Sequence, residues 1–355
     1  MAGDQGSTGH GTTAARVTGQ GAGAGAGDPV VIRTDPAPTR LLTAWRRAGS
    51  AEGRRTEFHP GRALLLAGAV VALAWFLPGA AVFLGMLAVI IVIHEAGHYV
   101  VALRCGMRPT EFFVGFGPTV WSRHTSGGSL RWGLKAFPLG GYVKIPGMGP
   151  REEVEASLEP YTYRAAARPR RMAVILAGSV ANLALGVTLF FGFAMTNPDI
   201  HASAGRAATG SVSLAWDVGT DTLAGLGSLV TGAGDYAGAV ADGRPPEQRM
   251  VSAVGGAQLT DGLLSEHPSR LLLLAGLFSV SIAVLNLLPL LPLDGGHAAV
   301  ILAEGTVARV RRRPGYRLDP NRFRPVAVAV IVVLVALGVS SMWVDLLHPL
   351  NVALG

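Results

Sequence analysis

From Arg62 to Leu103 the chain is nearly all apolar, broken by Pro78-Gly79. Roughly 20 apolar residues suffice for a helix to cross a bilayer. This run is about twice that length, and the Pro-Gly pair divides it into two predicted helices, about 63–77 and 80–104. The first is short enough to be a re-entrant or interfacial segment instead. Further apolar runs predict helices from about Met172 to Met195, from Leu271 to Leu291 and from Val326 to about Trp343.

The stretches between these runs differ in kind. Phe112 to Pro118, Leu130 to Phe137 and Leu139 to Lys144 read as short strands, with Gly127-Gly128 as a turn. Leu214 to Val240 reads as an amphipathic helix lying along the outer membrane face, followed by Val251 to Gly256. Residues 1–60 include the tract Gly19 to Gly27, which cannot bury enough apolar surface to offset its ordering entropy, and read as a disordered tail. Its basic part, from Arg33 to Arg55, is too long for the charged region of a secretory leader.

The predicted fold is an all-α polytopic membrane protein with four core transmembrane helices and an extra N-terminal one. A small cytoplasmic, membrane-associated β-sheet accompanies them. In chain order the segments are a tail (1–60), one or two spanning helices (61–104), a β-rich cytoplasmic segment (105–171) and a spanning helix (172–195). An external Gly/Ala-rich connection (196–270), a spanning helix (271–297), a basic cytoplasmic loop (298–325), a last spanning helix (326–345) and an external tail (346–355) complete it.

Composition agrees with this layout. Half of the 355 residues are hydrophobic and 15% are charged, as in a multi-span membrane protein. The formal charge of +7 rests on arginine, since Lys135 and Lys144 are the only lysines. No basic block carries the interleaved aromatics of a nucleic-acid platform, so the lipid bilayer and not nucleic acid is the expected partner. The single cysteine, Cys105, excludes an intramolecular disulfide and a cysteine-based zinc cluster. Arginines crowd 104–171 and 309–324, whereas 197–270 is rich in acids such as Asp217, Asp221 and Asp235. Under the positive-inside rule the basic segments and the N-terminus face the cytoplasm of a cell-membrane protein.

The candidate chemistry lies in the second helix. His94-Glu95-Ala96-Gly97-His98 is a HExxH motif. On a helix its two histidines share one face and can hold one Zn²⁺, while Glu95 between them can take a proton from an attacking water. The pattern is loose, and a buried histidine is often just a hydrogen-bonded core residue. Its address inside an apolar run favours function, because intramembrane ionisable groups are costly. A catalytic zinc needs three protein ligands and an open position. The best candidate for the third is Asp294, which follows Asn286 to Leu293 and precedes Gly295-Gly296-His297. Pro289 and Pro292 break the backbone there, which is tolerated at membrane depth only where it lines an enclosed or watery cavity.

These two elements together resemble the site-2 protease family of intramembrane zinc metalloproteases. Gly115-Phe116-Gly117-Pro118, Pro138 to Lys144 and Gly178-Ser179-Val180-Ala181-Asn182 resemble further elements of its bacterial members. The resemblance covers about 80–195 and 250–350. It implies His94, His98 and Asp294 as ligands of one Zn²⁺, Glu95 as general base, and Asn182 as a donor to the tetrahedral oxyanion. It also implies a single-pass membrane protein, such as an anti-sigma factor, as substrate. His94 and His98 fall late in a helix that the positive-inside rule runs inwards, so the metal is expected towards the cytoplasm. The sheet would hold that substrate by strand addition, or else is a structural hairpin. Many relatives carry a PDZ domain between their core helices; 197–270 is too short and too strand-poor for one.

Other readings stay open. Asn182 and Asn286 could be helix-packing amides. His297 could support the site or merely a turn, while His124, His201, His267 and His348 read as surface residues. A catalytically silent scaffold would keep the fold without the chemistry. A zinc transporter would use the same ligands without needing Glu95 as a base. A protease of the prenyl-protein type would draw its third ligand from a later glutamate.

Overall fold

The structure, a computed structural model, describes residues 56–125, 130–149, 152–197, 200, 202–246, 251–313, 315–318 and 320–349. The expected tail up to residue 55, the Gly127-Gly128 turn, His201 and the end of the chain lie outside the described residues.

The Pro78-Gly79 break works as the sequence suggests. Helix α1 (Pro60–Phe76) ends before it, and α2 (Pro78–Arg104) starts on Pro78, where the missing N–H costs nothing. Among the described residues three helices are long and apolar enough to cross a membrane: α2, α3 (Arg168–Thr196) and Arg324–Leu347. Helix α1 and the helix Arg270–Asn286, at 17 residues each, are apolar but shorter. Where four core spans and an extra one were expected, three helices among the described residues meet the length for crossing.

Between α3 and the Arg270–Asn286 helix lie α4 (Ala204–Thr231), α5 (Ala233–Ala241) and α6 (Ala253–Glu266), and no strand among the described residues. The amphipathic helix expected at Leu214–Val240 therefore begins ten residues earlier and divides near Gly232. It packs along α3 and the Arg270–Asn286 helix and buries Ala207, Ser211 and Ala215. That stripe of small residues at four-residue spacing allows close helix approach, and a search for large apolar residues passes over it.

Helix α7 (Arg270–Asn286) stops earlier than the predicted Leu291, because Pro289 and Pro292 forbid helical hydrogen bonding beyond it. After a turn, Asp294 opens α8 (Asp294–Val310). Asp294 is thus the first residue of a new helix and not the last of a membrane span. The expected loop 298–325 is helical to Val310. Helix α9 (Arg324–Leu347) follows and buries only Ser341, Val344 and Asp345. It joins α6 through Asp345, whose Oδ2 accepts from the Ser252 N–H at 2.9 Å.

The sheet is more intertwined than three short strands. Strand β2 (Glu111–His124) and strand β3 (Arg131–Lys144) each bend midway. The start of β2 lies between the two arms of β3: Glu111–Val114 pairs parallel with Arg131–Leu134 and antiparallel with Gly141–Lys144. The end of β2 runs antiparallel to Arg131–Lys135. On its other side it takes up β1 (Thr56–Phe58), so the tail read as disordered to residue 60 is ordered from residue 56. Arg131 holds β1 in place through Glu57 Oε2 at 2.5 Å. Three residues were too few for an alternation pattern to show.

The core beside the sheet joins Ala102, Met107, Ile145, Val174 and Ile301 from α2, α3, α8 and the segments around the sheet. A second cluster centres on Phe190, Ala215 and Val280 where α3, α4 and α7 meet. The His94-Glu95-Ala96-Gly97-His98 motif lies on α2, against α3 and the β3 arm.

Candidate functional site

Helical spacing puts His94 and His98 on one face of α2, with their Nε2 atoms 3.1 Å apart. Asp294 reaches them from the first turn of α8, its Oδ2 at 3.0 Å from His94 Nε2 and 3.3 Å from His98 Nε2. Gly295 makes that approach feasible. A Cβ on it would meet the Leu287 carbonyl oxygen at 2.2 Å, so only glycine lets α8 fold back on the end of α7.

Gly178 is equally demanding. A Cβ there would lie 2.5 Å from His98 Nε2 and 2.6 Å from His94 Nε2. The two imidazoles therefore occupy the space that any other residue on α3 would fill. His98 Nδ1–H donates to the Val174 carbonyl at 2.7 Å, which leaves Nε2 as the free lone pair pointing at Asp294.

Two imidazole nitrogens and a carboxylate oxygen converge on one point, and Asp294 Oδ2 is buried there. With each imidazole in its Nδ1–H tautomer all three are acceptors, a donor set that fits a cation. Metal–ligand distances of about 2.0–2.1 Å in a tetrahedron imply donor–donor edges of roughly 3.3 Å. The observed 3.0 to 3.3 Å matches that edge, and among the described residues this is the group of His, Cys, Asp and Glu able to hold a metal ion.

A cavity of about 360 Å³ opens in front of the three donors. Glu95 lines it from α2, Asn286 from the end of α7 and His297 from α8, while Gly140 to Val143 form its opposite wall. Gly141 comes so near α2 that a Cβ on it would be 3.3 Å from Glu95 Cγ. Tyr142, in the same arm, donates its hydroxyl to Glu111 Oε2 at 2.7 Å. Burial, then that carboxylate, hold its phenol well above the usual range, so it stays a donor.

The structure thus brings His94, His98, Asp294 and Glu95 together. Asn182 lies elsewhere. It is fully buried behind His94, with its amide 3.4 Å from Nδ1, and it does not line the cavity. His297 lines the cavity outside the donor triad. His348 accepts no ligand role, its Nε2 bonding instead to the Gly243 carbonyl at 2.9 Å.

Sequence reasoning missed one pair. Arg171, at the end of the arginine-rich 104–171 segment, is buried at the start of α3 and donates to buried Glu304 on α8 at 2.7 Å. Glu304 also accepts from the Leu318 N–H at 3.2 Å. A lone glutamate within the apolar half of α8 was the available signal.

The chain is 38% identical over 128 residues to the zinc metalloprotease Rip1 of Mycobacterium tuberculosis, covering 36% of this chain and 31% of that protein. It is 37% identical over 127 residues to the Rip1 of Mycolicibacterium smegmatis, covering 35% and 31%. These alignments span about a third of the length of either relative. The sequence profile of peptidase family M50 matches residues 82–337, well over half of the chain and inclusive of both halves of the donor triad. The chain belongs to peptidase family M50.

Proposed function

We propose that this chain is an intramembrane-cleaving zinc endopeptidase of the site-2 type, hydrolysing peptide bonds in or near the membrane segment of single-pass proteins. The observation that carries the reading is the convergence of His94, His98 and Asp294 at tetrahedral edge lengths beside a glutamate, the histidines and the glutamate being on a helix apolar enough to span a bilayer. His94 Nε2, His98 Nε2 and Asp294 Oδ2 hold one Zn²⁺. When bound, Zn²⁺ acidifies a water and polarises the scissile carbonyl.

The chain's own groups do the rest. Glu95 faces the cavity, accepts the proton from the attacking water and returns it to the leaving amine. The β3 arm Gly141–Lys144 is paired on one side by Glu111–Val114, while Gly141 and the Val143 backbone come up against Glu95. An extended substrate adds there as a further strand, which exposes the amide that a helix would hide. The basic segments around the sheet support a cytoplasmic position for this side of the molecule.

Asn182 takes a different role from the one the resemblance implies. Turning its amide by half a revolution places Oδ1, a buried oxygen without a donor, against Nδ1–H of His94. There it fixes the tautomer that leaves Nε2 free for the metal, a supporting contact typical of metal-bound histidine.

The test is cleavage of single-pass membrane proteins in membranes by wild type and Glu95→Ala. Product from wild type and none from the mutant, with zinc content equal, supports the reading. Equal cleavage by both removes Glu95 from the mechanism. Zinc binding without cleavage of any of several substrates moves the weight to a silent scaffold or a transporter.

A further inference from the structure

A second cavity, about 1070 Å³ and mostly apolar, lies between α2, α4, α6 and α7. It is roughly three times the size of the one at the donor triad, and no step in the chemistry above uses it. Its place in the fold is informative. Leu87 of α2 lines it, and one turn further along the same helix Ile91 lines the catalytic cavity beside Glu95. On α7, Ile282 lines both cavities. A single track therefore runs between α2 and α7 from the groove to Glu95. From Phe83 to Glu95 it covers roughly 18 Å at 1.5 Å per residue.

The walls fit one kind of occupant. A helix of about 5 Å radius fills roughly 120 Å³ per residue, so the groove takes on the order of nine residues, some two and a half turns. Gly225 on α4 faces open space, and Ala224 and Ala253 line the same groove. Small residues at an open helix face are how helices approach closely where there is no water to drive them together. The wall hydroxyls are already engaged: Thr222 Oγ1 and Ser281 Oγ bond each other at 3.1 Å, and Ser252 Oγ caps α6. The groove thus asks its occupant for apolar surface and no hydrogen bonds.

We propose that this groove is the docking site for the apolar helix of the single-pass substrate, which unwinds past Ile282 and continues as a strand along Gly140–Val143. The inference rests on the protease reading for what lies at the end of the track. It adds that α4 and α6 form one wall of the substrate site.

The experiment uses the full chain carrying Glu95→Gln, reconstituted in lipid nanodiscs. A photo-reactive benzoylphenylalanine replaces Leu226 or Phe278 in the groove, or the exposed Leu64 of α1 as control. The probe is a biotinylated synthetic peptide with a 20-residue Leu/Ala membrane segment. Adducts at both groove positions at least ten-fold above Leu64 are expected, and Gly225→Trp, which fills the groove, should reduce the Phe278 adduct at least ten-fold with zinc content unchanged. Equal yields at all three positions, adducts with lipid alone at the groove, or an adduct indifferent to Gly225→Trp would overturn the proposal. Groove adducts with a wild type that cleaves no single-pass protein would uphold the groove and defeat the protease reading. Cleavage by wild type with no groove adduct would do the reverse.

Discussion

Gly178→Ala separates the demands of the helix from those of the metal centre. In an exposed helix interior the change would gain about 1 kcal/mol from helix propensity. At this position the new Cβ would lie 2.5 Å from His98 Nε2, about 0.9 Å short of ordinary contact at 3.4 Å, and both imidazoles are affected. Metal sites tolerate ligand displacements of about 0.2 Å. The histidines must move several times that far, or α2 and α3 must part and carry Asp294 out of reach. Zinc affinity is expected to fall at least 100-fold, beyond the 10- to 100-fold typical of losing a supporting contact. The assay is a competition titration against a chromophoric chelator in detergent, with helical content followed by circular dichroism. Gly192→Ala on the same helix is the control, since its Cβ would meet only Leu272 Cδ1 at 3.6 Å. Wild-type zinc affinity in Gly178→Ala, with helical content intact, would refute the packing argument and the position assigned to the imidazoles.

Three other outcomes follow from the same geometry. Asn182→Asp keeps an acceptor for His94 and should retain zinc and activity within about ten-fold, whereas Asn182→Leu should lose 10- to 100-fold in zinc affinity. The opposite ranking in cleavage, with zinc unchanged in both, would restore Asn182 as an oxyanion donor. Glu304→Ala leaves Arg171 buried and unpaired and should cost about 3–5 kcal/mol in chemical denaturation; a cost below about 1 kcal/mol would show that the pair is solvated. Replacing both members, as Arg171→Met with Glu304→Leu, should recover most of that loss.

The donor triad was legible because its chemistry is local. Four residues on one helix fix the placement of His94 and His98, and a carboxylate between two prolines and two glycines had few structural reasons to be there. Gly178 was visible as a motif position but its meaning was not, since only the packing of α3 on α2 brings it against both imidazoles. The role of Asn182 was inferred by resemblance, and the supporting role proposed above comes from its place behind His94, which only the packing of α3 on α2 shows. Helix ends were misplaced where tertiary packing decides them: α4 begins at Ala204 because a stripe of small residues finds α3 and α7. The bent, interleaved strands β2 and β3 lay beyond any pattern of alternation, because their pairing partners are set by long-range register.

The most direct test of the metal centre is the zinc X-ray absorption spectrum of the purified full-length chain. About one zinc per chain is predicted, with two imidazoles and oxygen at about 2.0–2.1 Å, no sulfur, and loss of bound zinc on Asp294→Ala. A sulfur neighbour from Cys105, or a spectrum unchanged by loss of His94 and His98, would contradict the assignment.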